Sequence, residues 1–445
     1  MNIIISGAGD VGKFLAKMLI QENHDIVVID MDDELIKEVD ASYDLMSIVG
    51  SCTSFNTLKE AKVNGCDLYI AVTNVEDTNI LSCILAKKLG AKKCIARVNN
   101  VEYLNPINRL SFINLGIDRL IYPEQIAAKE IIGVLKQTGS ADIYEFSKGK
   151  LTLFSVKIDD KSSISGHNLK EIASRIRHND YRFVAIIRDE ETIIPHGNDI
   201  LKPNDIVYVV TKPDSISNLL KLLEIEDLEI KNVMILGGSR IGVKTAQFIE
   251  NQLNVKLLEI DPDKSFKLVD ILPNTMIINA DGRNIDVLTE EGLVNMDAFV
   301  AVTGDSETNI LACILAKKYG VKKTIAEVEN LDYIDIASKM GIDTIINKKL
   351  STASHIYTFT MKAEVSSIRW LTGTDAEVLE FVTSKDAVIT RNKLRDIDLP
   401  EGVIVGGVVR GSKSFIATGD TLIKPNDKVV LFALASAIHK ISSYF

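Results

Sequence analysis

The sequence predicts an α/β protein with two doubly wound parallel sheets, each followed by a small α+β domain. Three observations carry that expectation: short apolar runs alternate with amphipathic stretches, a glycine-rich loop follows the first run, and the whole pattern occurs twice. Residues 71–98 (AVTNVEDTNILSCILAKKLGAKKCIARV) align without a gap on residues 301–328 (AVTGDSETNILACILAKKYGVKKTIAEV), with 19 of 28 positions identical. The same offset superposes Gly7 on Gly237 and Gly12 on Gly242. Later in each half, HGNDILKPNDIVYVV at 196–210 resembles TGDTLIKPNDKVVLF at 418–432. The organisation is A–B–A′–B′, with domains expected over 1–138, 139–225, 226–362 and 363–445.

In the first A segment, the apolar run at 2–5 reads as a buried strand, and Val11, Phe14, Leu15, Met18 and Leu19 recur at helical spacing. DIVVID at 25–30 is a second strand, followed by the helical stretch DDELIKEVD. LMSIV at 45–49 and DLYIAV at 67–72 are strands, NILSCILAKKL is a helix, and CIARV is a strand. A helix around 101–115 and the short strand DRLIY complete the series. The second copy repeats it with VMILGG, VKLLEID, TMIIN, DAFVAV, TIAEV and DTIIN. Strands that alternate with helices imply right-handed crossovers and a parallel sheet covered on both faces. The B segments change texture: β-rich stretches at 150–158 and 181–187, a Pro-Asn-Asp turn at 203–205 and the strand IVYVV predict a small antiparallel sheet. A helix over 215–231 is expected to join the halves.

Composition narrows the function. Of 445 residues, 46% are apolar and 25% charged, the balance of a soluble globular protein of two to four domains. The net charge of −10 argues against a nucleic-acid partner, which needs a basic surface. No apolar run approaches the roughly 20 residues that span a bilayer, and the start lacks a signal-peptide pattern. Five cysteines without a CxxC pair read as core hydrophobes in a reducing compartment, so a cytosolic location is expected.

Gly7-Ala8-Gly9-Asp10-Val11-Gly12 is a GxGxxG placed after a strand and opening a helix. Gly7 allows the tight turn, Gly9 lets a pyrophosphate approach the backbone, and Gly12 lets helix and strand pack closely. The helix N-terminus offers free amides and about half a positive charge to phosphates. Asp30 ends the second strand, where its carboxylate can accept from both ribose hydroxyls and would repel a 2′-phosphate. NAD(H) is therefore favoured over NADP(H), and ATP or ADP satisfies the same ribose and phosphate pattern. The bland alternative is a turn whose glycines serve packing only. In the second copy, Gly237-Gly238-Ser239-Arg240-Ile241-Gly242 has serine where the middle glycine belongs, and Glu259 takes the place of Asp30. The Cβ of Ser239 crowds a pyrophosphate while Arg240 offers it a charge, so occupancy of the second site stays open.

Thr73 and Asn74 follow the fourth strand, and Thr303-Gly304 do so in the second copy, at the sheet edge where open α/β folds bind ligands. Arg97 ends the fifth strand on that edge, and Glu327 replaces it in the copy. Asp77, Thr78 and Asn79 read as caps of the next helix rather than ligand contacts. No catalytic group is expected: the six histidines are scattered, and GxxxxGK[ST], HExxH, CxxC and GxSxG are all missing. Acid pairs such as Asp32-Asp33 and Asp159-Asp160 look like turn and helix-start charges, so no metal site is expected.

SGAGDVG at 6–12 with Asp30, AVTNVEDTNI with its copy AVTGDSETNI, IARV at 95–98 and the LKPND/IKPND turns together resemble the bacterial Trk potassium-uptake regulatory proteins, the TrkA family, built of two RCK units. The resemblance spans essentially the whole chain. It implies two Rossmann-like domains, nucleotide binding, assembly into a dimer or tetramer ring, and a membrane-embedded potassium-transporting partner on the inner face of the cell membrane. It places nucleotide contacts on Gly7 to Val11, Asp30, Thr73, Asn74 and Arg97, and on Gly237 to Ile241 and Glu259 in the copy. Ser239 departs from the family's glycine. Two classes remain: a ligand-sensing regulator, and an NAD-dependent oxidoreductase with an unrecognised substrate site.

Overall fold

The computed structural model describes residues 1–20, 24–135, 143–147, 149–158, 162–175, 181–189, 191–222, 230–360, 364–370 and 376–445. The chain divides into two compact units, Met1–Ala127 with Asn347–Thr360 and Ala128–Ile346 with Met361–Phe445.

The first unit runs β1 (Asn2–Ser6), α1 (Asp10–Ile20), β2 (Asp25–Asp30), α2 (Asp33–Ser42), β3 (Met46–Val49), α3 (Phe55–Glu60), β4 (Leu68–Ala71), α4 (Glu76–Leu89), β5 (Lys93–Arg97), α5 (Pro106–Asn114) and β6 (Arg119–Ile121). The strands pair in parallel in the order β3-β2-β1-β4-β5-β6. Ile3, Ile4 and Ile5 are buried because a central parallel strand is covered on both faces. The strand order reverses between β1 and β4, which opens a crevice beyond their C-terminal ends. The helix expected around 101–115 is split into a 3₁₀ turn at Val101–Leu104 and α5. Pro106 forces Asn105 out of helical geometry, to φ −58° and ψ 134°, and the Asn105 side chain caps the new start by accepting from Ile107 N.

The second unit opens within α6 (Pro123–Leu135) and continues β7 (Ile143–Phe146), β8 (Leu151–Lys157), α7 (Leu169–Arg175), β9 (Tyr181–Arg188), β10 (Glu191–Ile193), β11 (Ile206–Thr211) and α8 (Ile216–Leu222). The repeated parallel domain follows as β12 (Asn232–Leu236), α9 (Arg240–Ile249), β13 (Asn254–Glu259), α10 (Pro262–Ile271), β14 (Thr275–Asn279), α11 (Ile285–Glu290), β15 (Ala298–Ala301), α12 (Ser306–Lys318), β16 (Lys323–Glu327), α13 (Asp332–Lys339) and β17 (Thr344–Ile346). Its order, β14-β13-β12-β15-β16-β17, matches the first sheet. The next helix, α14 (Lys348–Tyr357), returns to the first unit and packs along α1. The chain then closes with β18 (Glu364–Trp370), β19 (Ala376–Val382), β20 (Val403–Arg410), β21 (Lys413–Ile416), β22 (Lys428–Leu434) and α15 (Ala435–Ile441).

Each B segment is a five-stranded antiparallel sheet, β10-β9-β11-β8-β7 and β18-β19-β22-β20-β21. The two sheets share one core, in which Leu153, Val184 and Val210 meet Val378, Ile404 and Phe432. That sharing was not legible in the sequence, which presents two separate small domains. Gly406 and Gly407 permit it: a Cβ on Gly406 would stand 2.7 Å from Val210 Cγ2, and one on Gly407 2.8 Å from Leu151 Cδ1. The repeated Pro-Asn-Asp turns have the asparagines in the left-handed region, Asn204 at φ 70° and Asn426 at φ 66°. The following aspartates are buried and gripped by forked arginines, Asp205 by Arg188 and Asp427 by Arg410.

The three domain boundaries expected from the sequence fall in 136–142, 223–229 and 361–363, outside the described residues, as do Asp159 and Asp160 and the middle of the joining helix beyond Leu222. All five cysteines are free and buried. Burial pushes the Cys66 thiol up to about 12. Among the described residues no helix is long and apolar enough to cross a membrane.

Candidate nucleotide-binding site

The loop between β1 and α1 has the mechanics its glycines require. Gly7 sits at φ +111°, donates its amide to Ile29 O at 2.8 Å, and lies so close to β4 that a Cβ would be 2.9 Å from Thr73 N. A Cβ on Gly12 would be 1.8 Å from Gly7 O, so the helix reaches the strand only because that atom is missing. Gly9 is the opposite case: nothing stands within 4 Å of where its Cβ would be. The loop is open at Gly9 and closed at its two ends. Ala8 and Val11 are buried between these ends.

Asp30 ends β2 beside this loop. One carboxylate oxygen accepts from Ala8 N at 2.6 Å and the other from Asp32 N at 3.0 Å. The carboxylate therefore holds the loop, and its remaining lone pairs are the ones available to ribose hydroxyls. Asp32, read from the sequence as a helix-start charge, caps α2 by accepting from Glu34 N and Leu35 N. At the start of α1, Lys349 Nζ of α14 lies 2.6 Å from the Asp10 carboxylate.

Across the crevice, the reading of Asn79 as a helix cap is corrected. Asn79 lies inside α4, buried to 1% exposure, and its amide group makes four hydrogen bonds. Its Oδ1 accepts from Thr73 N at 2.9 Å and Thr73 Oγ1 at 2.7 Å, while Nδ2 donates to Thr73 O at 2.9 Å and Arg97 O at 3.0 Å. A buried amide must satisfy all its donors and acceptors, and the ends of β4 and β5 supply them. Thr73 is thus occupied by Asn79, while Arg97 Nη1 reaches Asn74 Oδ1 at 3.5 Å on the open side. Asn309 repeats the clamp on Thr303 and on Glu327 O.

The second crevice has the same frame and different contents. Gly237 is at φ +103°, and a Cβ on Gly242 would stand 2.2 Å from Gly237 O. Ser239 caps α9, its Oγ accepting from Gly242 N at 3.3 Å, so the serine already takes an amide that a phosphate would use. Arg240 begins α9 and Ile241 is buried beneath it. Glu259 accepts from Gly238 N at 3.0 Å and Asp261 N at 3.1 Å, as Asp30 does from its own loop, and also pairs with Lys264 Nζ at 2.6 Å. Burial alone would raise the Glu259 carboxyl; the Lys264 ammonium and the two amides outweigh it and hold it below the usual range. A cavity of about 340 Å³ opens here, with Gly237, Ser239, Glu259, Lys264, Arg283 and Thr303 in its wall. Lys264 and Arg283 were not legible as site residues, because Glu34 and Thr53 hold the matching places in the first copy. Among the described residues no group of three His, Cys, Asp or Glu side chains is placed to hold a metal ion.

The TrkA-N domain family matches residues 3–123 and again 233–348, and the TrkA-C domain family matches 153–224 and 378–445. The chain belongs to the TrkA family. It is similar to Trk system potassium uptake protein TrkA homolog 1 of Methanosarcina mazei, at 33% identity over 456 residues and 100% of both chains. It is similar also to the TrkA of Vibrio alginolyticus, at 31% identity over 97% of this chain and 95% of that protein. Among solved structures, the GsuK RCK domain aligns over 99% of this chain and 94% of its own at 14% identity and a TM-score of 0.58. The GsuK channel bound to NAD aligns over 99% and 78% at 15% identity and the same score. These structures share the RCK fold, twice a Rossmann-like domain and a small antiparallel one.

Proposed function

We propose that this TrkA-family chain is a nucleotide-sensing regulatory subunit that acts on a potassium-transporting membrane protein by changing shape. The observation that supports it most is the first loop: open at Gly9, closed at Gly7 and Gly12, flanked by the Asp30 carboxylate and set at the switch point of a parallel sheet. Relatives named as Trk potassium-uptake proteins cover the whole chain, and GsuK has been solved with NAD and with ADP. The ligand favoured here is NAD(H), with ADP or ATP as the competing occupants. Gly7 to Gly12, Asp30, Asn74 and Arg97 contact it, and Thr73 shapes the edge through Asn79. The second site, with Ser239 and an engaged Glu259, binds more weakly or takes a different nucleotide. The subunit works at the inner face of the membrane as a closed ring of copies, where rigid-body rotation reaches the transporter. No reaction is involved.

A nucleotide biases a two-state assembly only through its differential affinity for the two states, typically about 1–3 kcal/mol. The test is calorimetric titration with NAD⁺, NADH, ADP and ATP, with and without the purified potassium-transporting subunit, beside ion-flux measurements. Linkage requires the partner to change nucleotide affinity by the factor by which nucleotide changes partner binding. Flux indifferent to every nucleotide, together with identical affinities in both titrations, overturns the proposal.

A further inference from the structure

The first loop begins its helix with an acid. Asp10 at the N-terminus of α1 suits the helix, because a carboxylate there complements the positive end of the dipole. It is a poor neighbour for a phosphate, which would meet a negative charge directly beside the open space at Gly9. In the structure that charge is neutralised from elsewhere in the chain. Lys349, the second residue of α14, places its ammonium 2.6 Å from the Asp10 carboxylate. It holds that place because α14 packs along α1 and belongs to the first compact unit, although some 340 residues separate the two helices in sequence. Thr352, Ala353, Ile356 and Tyr357, three, four, seven and eight residues on from Lys349, are buried along the same face of α14, and Lys349 at the N-terminal end of that face stands beside the loop.

The second copy argues the same point independently. Its loop carries a cation of its own, Arg240, at the position of Asp10. Aligning Gly116-Ile117-Asp118 with Gly341-Ile342-Asp343 puts the acid Glu124 at the position of Lys349. Each pair of matching places holds one cation and one anion with the signs exchanged: the second loop has its positive charge built in, and α14 brings one to the first.

We infer that Lys349 is a phosphate-recognition residue of the first nucleotide site, delivered by the helix that follows the second Rossmann-like domain. Its ammonium cancels Asp10 and faces the incoming phosphates, so a phosphorylated nucleotide binds tightly only while α14 is seated on α1. Occupancy of the first site is thereby tied to the seating of a helix that lies some 340 residues further along the chain. The inference rests on the reading of the first loop as a nucleotide site and adds to it the residue and the helix through which binding is felt.

The experiment uses the full chain, its Lys349→Gln and Asp10→Asn variants and the double variant, titrated calorimetrically with NADH, ADP and adenosine, with a thermal melt of each. Lys349→Gln is expected to weaken NADH and ADP about tenfold or more, the loss of one charge-assisted contact, and to leave adenosine unchanged. Asp10→Asn is expected to tighten NADH and ADP, and the double variant to fall between the two. Both single variants break the same ion pair, so a purely structural role would lower both melting temperatures and move nucleotide affinity in one direction. Affinities that move together, or that stay unchanged while the unmutated chain binds NADH or ADP, overturn the role of Lys349 alone. Failure of the unmutated chain to bind any of them overturns the site itself, and this inference with it.

Discussion

Gly9→Ser separates what the first loop does for folding from what it does for binding. No atom lies within 4 Å of the Cβ that the substitution adds, and Gly9 lies outside the left-handed region, so the protein itself meets no clash. Ser239 shows what the new hydroxyl does: at the matching place it caps the helix by accepting from Gly242 N at 3.3 Å. Serine improves on glycine as an N-cap by only a few tenths of a kcal/mol, so the melting temperature should hold or rise slightly. The phosphate loses both the open space and the Gly12 amide. A hydrogen bond to a charged group contributes about 1.5–3 kcal/mol, so affinity should fall roughly ten- to hundredfold. Gly7→Ala is the contrasting control: at φ +111°, with a Cβ 2.9 Å from Thr73 N, it should cost about 1–3 kcal/mol of stability before any ligand is added. The reverse change in the second loop, Ser239→Gly, should lose a few tenths of a kcal/mol of stability and gain nucleotide affinity. Calorimetry and thermal melts of the four proteins decide it. If Gly9→Ser leaves NADH, ADP and ATP binding unaltered in a chain that otherwise binds them, the middle glycine does not face the phosphates.

Asp30→Ala removes the acceptor that holds Ala8 N at 2.6 Å and faces the ribose; nucleotide affinity at the first site should drop by one to two decades, about 1.5–3 kcal/mol, and unchanged affinity would reject the ribose assignment. Asn79→Ala strips a buried amide that makes four bonds and orphans Thr73 N and Arg97 O. Urea denaturation should show a loss of about 2–5 kcal/mol, and a loss under 1 kcal/mol would mean that the clamp contributes little. Glu259 has its ionisation favoured in the folded state despite burial, because Lys264 and two amides hold the carboxylate. Its contribution is therefore fully present above the unfolded-state value of about 4.3 and is lost as pH falls through the lower folded-state value. The stability advantage of the unmutated chain over Glu259→Gln should shrink as pH drops below about 4, and an advantage constant with pH would contradict the pairing.

The elements and loops were legible because their signals are local. Ile3 to Ile5 ahead of Gly7, Gly9 and Gly12 specify strand, turn and helix within a dozen residues, and a sheet of this type places the acid of the next strand beside the turn. The duplication doubled each signal, so a departure such as Ser239 stood out. Even the repeated Pro-Asn-Asp turn announced itself, since asparagine tolerates the left-handed geometry found at Asn204 and Asn426.

What the tertiary structure decided concerns residues far apart in the chain. Asn79 looks like any polar residue near a helix start; only the meeting of the ends of β4 and β5 around it supplies four bonding partners and makes it a clamp. The shared core of the two antiparallel sheets depends on a fit between Gly406, Gly407 and side chains more than 190 positions earlier, Leu151 and Val210, which no periodicity encodes. The seat of α14 on α1, and with it the place of Lys349 beside Asp10, follows from how complementary surfaces pack. Periodicity and turn chemistry are written in neighbouring residues, whereas burial and charge pairing across a fold are settled only when distant segments compete for the same contacts.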